Sequence, residues 1–258
     1  TVVPTDVFYD SGIPYMRPEV VLQEGNSYRA FQLLTKRSVE LDDNRIGLAF
    51  VGSGLVIDLW HLPHVLDHLT DSGAKALHSS MYEIEPPIDW SNDEYHIPPE
   101  FDQFVDDLND NGVAFDYVVH FWDKAGHANG ETLSNPRFTT EEQIQEFVDY
   151  TRFIVSHFKG RVQYYSIWSE PDNCHDHYMK CILPDDYIEL IKRVVPVIRE
   201  EDPQAKVAIA ANVLFFGREK LFAVLESDAM PLVDVVQWHG LYDVLPNDDE
   251  LYGNYYYE

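Results

Sequence analysis

From about residue 46 onward the chain alternates short apolar runs with segments of helical periodicity, and this alternation restricts the fold more than any other feature. It is the pattern of a parallel sheet covered by helices. Residues 46–51 (IGLAFV) read as a first strand, after which Leu62, Val65, Leu66 and Leu69 recur at helical spacing with Gly73 as a stop. Residues 74–81 read as a second strand. Pro98 and Pro99 open a helix with Phe101, Phe104, Val105 and Leu108 on one face, ended at Gly112, and residues 113–122 form a third strand. Thr139 and Glu142 have capping-box spacing ahead of a face traced by Ile144, Phe147, Val148, Thr151, Ile154, Val155 and Phe158.

Residues 162–168 read as a fourth strand, Pro184 begins a helix with Tyr187, Ile188, Ile191, Val194, Val195 and Ile198 inward, and 207–211 and 233–238 are the fifth and sixth strands. The strand starts recur on average every 37 residues or so, about the spacing of a (β/α)8 TIM barrel with enlarged βα loops. The expected fold class is therefore α/β, with about six of the eight βα units present. Roughly 20 residues follow Trp238, too few for two further units, so the barrel segment 46–258 is expected to be incomplete at its C-terminus. Residues 1–45 stand apart as an N-terminal strand and loop segment, in which 20–22 and 28–34 flank Gly25-Asn26 like a hairpin.

Composition narrows the partners. The 258 residues carry 18 Lys+Arg against 45 Asp+Glu, a formal charge of −27, and 45% are hydrophobic, ample for a sizeable core and incompatible with disorder. Such a surface repels phosphate backbones and anionic headgroups, and no Lys/Arg cluster offsets it, so neither nucleic acid nor membrane is an expected partner. The charge also suits solubility or a saline habitat. No secretory signal is legible at the start, and the longest uncharged apolar stretch, 46–57, is far short of the roughly 20 residues of a bilayer span. A neutral ligand is the natural expectation; the oligomeric state is not legible.

In a TIM barrel the strand C-termini and the loops after them build the site. Here they carry His78 with Glu83 and Glu85, then His120, Trp122 and Asp123, then Trp168 and Glu170, and finally Trp238, His239 and Tyr242. All five tryptophans (Trp60, Trp90, Trp122, Trp168, Trp238) fall at or after an expected strand end. Aromatic faces stack on the C–H faces of sugar rings, so the set favours a carbohydrate cleft, although some of these rings would merely close the barrel top. Glu170, directly after an apolar strand and followed by Pro171, is fixed on a rigid element. Burial there would raise its pKa and keep it protonated, as a general acid for a glycosidic oxygen requires.

Trp168-Ser169-Glu170-Pro171 resembles the Trp-Asn-Glu-Pro signature that ends strand four in the superfamily of retaining (β/α)8 glycoside hydrolases, which includes cellulases, xylanases, mannanases and β-xylosidases. The resemblance implies an O-glycosyl hydrolase acting on β-linked glucan or xylan, with Glu170 as general acid/base and no cofactor. It further implies substrate-binding roles for His78, His120, Trp122, Trp168, Ser169, Trp238, His239 and Tyr242. Ser169 replaces the family's Asn, which shortens the contact expected with the sugar 2-hydroxyl. The family's nucleophile is a Glu at the end of strand seven, which is expected beyond residue 258.

Two other readings compete. His78, His120, Glu170 and His239 are residue types that suit a divalent metal in a barrel enzyme acting on sugars. The Ser169 departure and the missing second carboxylate suit a catalytically inactive carbohydrate-binding barrel. Cys174-His175-Asp176-His177 with Cys181 is compatible with zinc, but the distant second pair of a structural zinc site is absent. A short disulfide between Cys174 and Cys181 is the stronger expectation; it implies an oxidising compartment, extracellular or periplasmic.

Overall fold

The structure is a computed structural model, described over residues 15–23, 26–34, 47–49, 62–79, 88–89, 94–120, 137–172 and 182–239. Strands β1 (Tyr15–Gln23) and β2 (Asn26–Leu34) pair antiparallel, with Gln23 opposite Asn26 across the turn. β3 (Gly47–Ala49) is followed by helix α1 (Leu62–Ser72) and β4 (Ala76–Ser79). A small antiparallel pair, β5 (Ile88–Asp89) and β6 (Glu94–Tyr95), which the sequence reading did not anticipate, precedes α2 (Pro99–Asp110). Then come β7 (Ala114–Val119), α3 (Glu141–His157), β8 (Tyr164–Ile167), α4 (Pro184–Glu201), β9 (Lys206–Val213), α5 (Leu214–Leu225) and β10 (Val235–His239).

The large sheet has the order β10-β9-β8-β7-β4-β3, and every neighbouring pair is parallel. Sheet order follows chain order without a reversal, which is barrel topology rather than a doubly wound sheet. Alternation along the strands sorts the two faces. Phe115 and Tyr117 of β7 meet Phe101 of α2, and Tyr117 also meets Phe158 at the end of α3, so this face packs on the helices. Phe101 stands edge-on to Phe158 with centroids 5.9 Å apart; each such pair adds about 0.5–1.5 kcal/mol beyond its buried area. The opposite, concave face carries Asp116 and Ser166.

Local chemistry sets the boundaries. Gly112 and Gly160 end their helices at φ +64° and +74°, conformations that cost a β-carbon little only when it is absent. Buried Asp202 at the end of α4 accepts the Gly160 N–H at 2.8 Å, joining the C-terminal ends of α3 and α4. The same two helices are bridged outside by Arg193, whose guanidinium forks onto Glu141 at 2.6 and 2.9 Å. Exposed pairs of this kind contribute only about 0–1 kcal/mol.

Three expectations are corrected. The N-cap of α3 is Thr140, not Thr139: its hydroxyl accepts from the Gln143 backbone N–H at 3.3 Å, and the Gln143 side-chain Oε1 accepts from the Thr139 N–H at 3.1 Å. The box is therefore shifted by one residue onto Thr140 and Gln143. Strand three ends at Val119 rather than at 122. Helix α5 escaped notice because LFFGREKLFAVL is apolar on several faces and starts at Leu214 directly after β9, with no turn residue between.

Candidate active site

The site is built where β7 and β8 end. The Trp168 N–H still donates to the Val119 carbonyl of β7 at 3.1 Å, after which the chain leaves the sheet in a sharp turn. Trp168 and Glu170 lie at φ +66° and +49°, and Phe138 at +54°; among the described residues these are the non-glycine positions with left-handed backbone. Each costs of order 1–3 kcal/mol, and such strain persists where surrounding packing over-determines it. That packing is visible here. The Trp168 ring is met edge-on by His120 at 4.4 Å and Phe138 at 5.2 Å and lies 5.8 Å from Phe147. Below the turn, the Tyr187 hydroxyl of α4 donates to the Ile167 carbonyl at 2.5 Å. Beyond it, the Ile182 N–H donates to the Pro171 carbonyl at 2.8 Å, and the Lys220 ammonium donates to the Asp172 carbonyl at 3.2 Å.

Glu170 is thereby presented, half-buried, from a turn held on both sides. Ser169 is also half-buried. Trp168, expected as a sugar-stacking ring, is 1% exposed, its surface covered by protein, so its contacts are those of a residue that closes the barrel top. Trp238, on β10, is 61% exposed and retains an open face. Trp122, Tyr242, Asp123, Glu83, Glu85 and the 174–181 cluster lie outside the described residues, and of His239 only the backbone, within β10, is described.

His78 belongs to a polar cluster with Asp116, Ser166 and Gln237. Its Nδ1 lies 2.6 Å from Asp116 Oδ2, with side-chain exposures of 23% and 13%. Ser166 Oγ lies 2.7 Å from Asp116 Oδ1 and 3.0 Å from Gln237 Oε1, and Gln237 Nε2 donates to Asp116 Oδ2 at 2.5 Å. Asp116, Ser166 and Gln237 were missed from the sequence. The available signal was a polar residue at the third position of each of three otherwise apolar strands, AFDYVV, YYSI and VVQWH. Among the described residues, no three His, Cys, Asp or Glu side chains are grouped to hold a metal ion. No helix among them is long and apolar enough to cross a membrane.

A parallel sheet whose order follows chain order, with helices packed on its outer face, is the fold of a partial (β/α)8 barrel. Among solved structures, the chain is similar to a family 39 glycoside hydrolase from the gut symbiont Bacteroides cellulosilyticus WH2, with TM-score 0.52 and 19% identity over 75% of this chain and 37% of that one. It is similar to an endo-1,4-beta-mannanase from Rhizomucor miehei, with TM-score 0.56 and 13% identity over 88% of this chain and 70% of that one. A family 30 subfamily 8 xylanase from Clostridium acetobutylicum gives TM-score 0.52 and 13% identity over 77% of this chain and 49% of that one. The chain thus spans about two fifths of the family 39 protein and half of the xylanase. No protein-family model and no curated protein sequence matches it.

Proposed function

We propose that this chain carries the acid/base half of a retaining O-glycosyl hydrolase acting on β-linked glucan or xylan. The observation that supports this most directly is Glu170 on a strained turn at the end of the fourth strand, buttressed by the packed Trp168 ring and the Tyr187 hydroxyl. Glu170 donates its proton to the leaving glycosidic oxygen and later takes one from the water that completes hydrolysis. Retention requires a second carboxylate about 5 Å away as nucleophile. We assign it to a position C-terminal to β10, on the strand expected to pair beside it. Ser169, Trp238 and His120 are candidates to hold the sugar, with His239, Trp122 and Tyr242 added from the sequence.

The test is Glu170→Gln, assayed on carboxymethyl-cellulose, xylan, mannan and aryl β-glycosides. Loss of about 10²- to 10⁴-fold in turnover is expected for an acid/base residue, and wild-type turnover would overturn the assignment. Sugar binding by calorimetry, with no reducing ends released by the wild type, would favour the inactive binding barrel instead.

A further inference from the structure

We propose that Asp116 is a positioning residue that sets the hydrogen-bond orientation of three side chains on three other strands, fixing His78 as the Nδ1–H tautomer and tying β8, which leads into the Glu170 turn, to β10. The argument is one of donors and acceptors. As a carboxylate, Asp116 only accepts. Its Oδ2 lies within reach of both His78 Nδ1 and the Gln237 side-chain amide, so the imidazole carries its proton on Nδ1 and the amide turns its NH2 group toward Asp116. That turn aims Gln237 Oε1 at Ser166, whose single hydroxyl proton lies between Oε1 at 3.0 Å and Asp116 Oδ1 at 2.7 Å. None of these orientations is free once the carboxylate is in place.

Among the described residues no Lys or Arg contacts the Asp116 carboxylate; its partners there are His78, Ser166 and Gln237. A largely covered carboxylate held by dipoles and an imidazole is sensitive to each of them, because each lost donor leaves it less satisfied where little water reaches it. Ser166 stands on β8, four residues before Glu170 in the turn that follows, and Gln237 stands on β10, two residues before His239. The network therefore couples the strand that leads into the proposed acid to β10. An isosteric Asp116→Asn change keeps the volume but presents either an oxygen or an NH2 to each neighbour, so all three orientations lose their instruction.

The experiment is performed on the full 258-residue chain labelled with 15N-histidine, recorded well above the ordinary imidazole pKa of about 6.5. The wild type should show His78 as the Nδ1–H tautomer, and Asp116→Asn should convert it to a mixture or to the Nε2–H form. Ser166→Ala, which removes one donor and leaves the imidazole–carboxylate contact, should leave the tautomer unchanged. An Nε2–H tautomer in the wild type, which needs no variant to measure, would overturn the proposal, as would an unaltered tautomer in a folded Asp116→Asn protein.

The catalytic consequence rests on the reading of Glu170. With p-nitrophenyl β-xyloside and β-glucoside, Asp116→Asn should lower kcat about tenfold to a hundredfold while KM stays within about threefold, as for a misplaced catalytic group rather than lost binding. Unchanged kcat in that variant, alongside a crippled Glu170→Gln, would remove the positioning role and spare the hydrolase. Wild-type turnover in Glu170→Gln would remove the hydrolase reading, and the tautomer would still decide the network.

Discussion

The side chains of Asp116 and Gln237 meet at 2.5 Å although their strands, β7 and β10, are separated in the sheet by β8 and β9. Neighbouring strands lie about 4.8 Å apart, so in a flat sheet three steps would hold these backbones about 14 Å apart with their side chains standing parallel. The contact exists because the sheet is rolled, and it crosses the chord of the roll. The concave face is therefore an interior. There Asp116, Ser166, His78 and Gln237 form a hydrogen-bonded polar cluster within a face where barrels usually carry branched apolar layers.

This chord contact predicts the cost of its removal. Gln237→Leu keeps much of the volume but deprives the partly buried Asp116 carboxylate of one donor, which should lower unfolding stability by about 1–3 kcal/mol. The urea midpoint should fall with the slope unchanged, because the surface exposed on unfolding is the same. An unshifted midpoint would show that Asp116 is satisfied without Gln237.

A second prediction concerns the strained turn. Tyr187→Phe deletes only the hydroxyl that donates to the buried Ile167 carbonyl. It should cost about 1–3 kcal/mol and, under the proposed function, lower kcat more than it raises KM, since Ile167 directly precedes the turn that presents Glu170. Equal stability in urea for the two proteins would show that the carbonyl finds another donor.

The outer face of the barrel was legible because its physics is local. Leu62 to Leu69, Phe101 to Leu108 and Ile144 to Phe158 each repeat at helical spacing, and the structure buries those residues against the sheet. The place of Glu170, on a turn directly after an apolar strand, was legible because YYSI is a short apolar run and Pro171 follows. The inner network was not. Asp116, Ser166 and Gln237 lie 50 and 71 residues apart in sequence and become neighbours only through curvature, which no periodicity encodes. Trp168 failed in the other direction: its composition suggests an exposed stacking ring, but whether a strand-end ring faces solvent depends on Phe138 and Phe147, contributed by a different part of the chain.

Acid should unfold the protein partly through Asp234 and Asp102. At Asp234 burial works against ionisation, but the Val207 N–H at 2.8 Å and the Arg199 guanidinium outweigh it, holding the carboxyl below its ordinary range. At Asp102 burial is likewise outweighed by His157 and Arg161. A depressed folded-state pKa contributes stability that is fully present above the unfolded value, about 3.9, and is lost as pH falls through the folded value. Protonation of the many surface carboxylates has the opposite sign, because it relieves the repulsion of a −27 charge. The difference between wild type and Asp234→Asn isolates the specific part. Urea midpoints should differ most near pH 5 and converge toward pH 2.5; a constant gap would assign the loss to packing.

Trp168 and Trp238, the two tryptophans among the described strand ends, should behave oppositely when truncated. Trp168 is 1% exposed and packed among His120, Phe138 and Phe147, so Trp168→Ala opens a cavity and should cost about 3–5 kcal/mol, with any loss of sugar binding following from the collapse of the turn. Trp238 is 61% exposed on β10, where truncation removes little buried surface and should move the urea midpoint by no more than about 0.5 kcal/mol. If its open face stacks on a sugar ring, calorimetric affinity for xylotriose or cellotriose should fall by about tenfold, the equivalent of 1.4 kcal/mol. Affinity unchanged in a fully folded Trp238→Ala protein would take that ring out of the cleft and leave sugar recognition to the groups around Glu170.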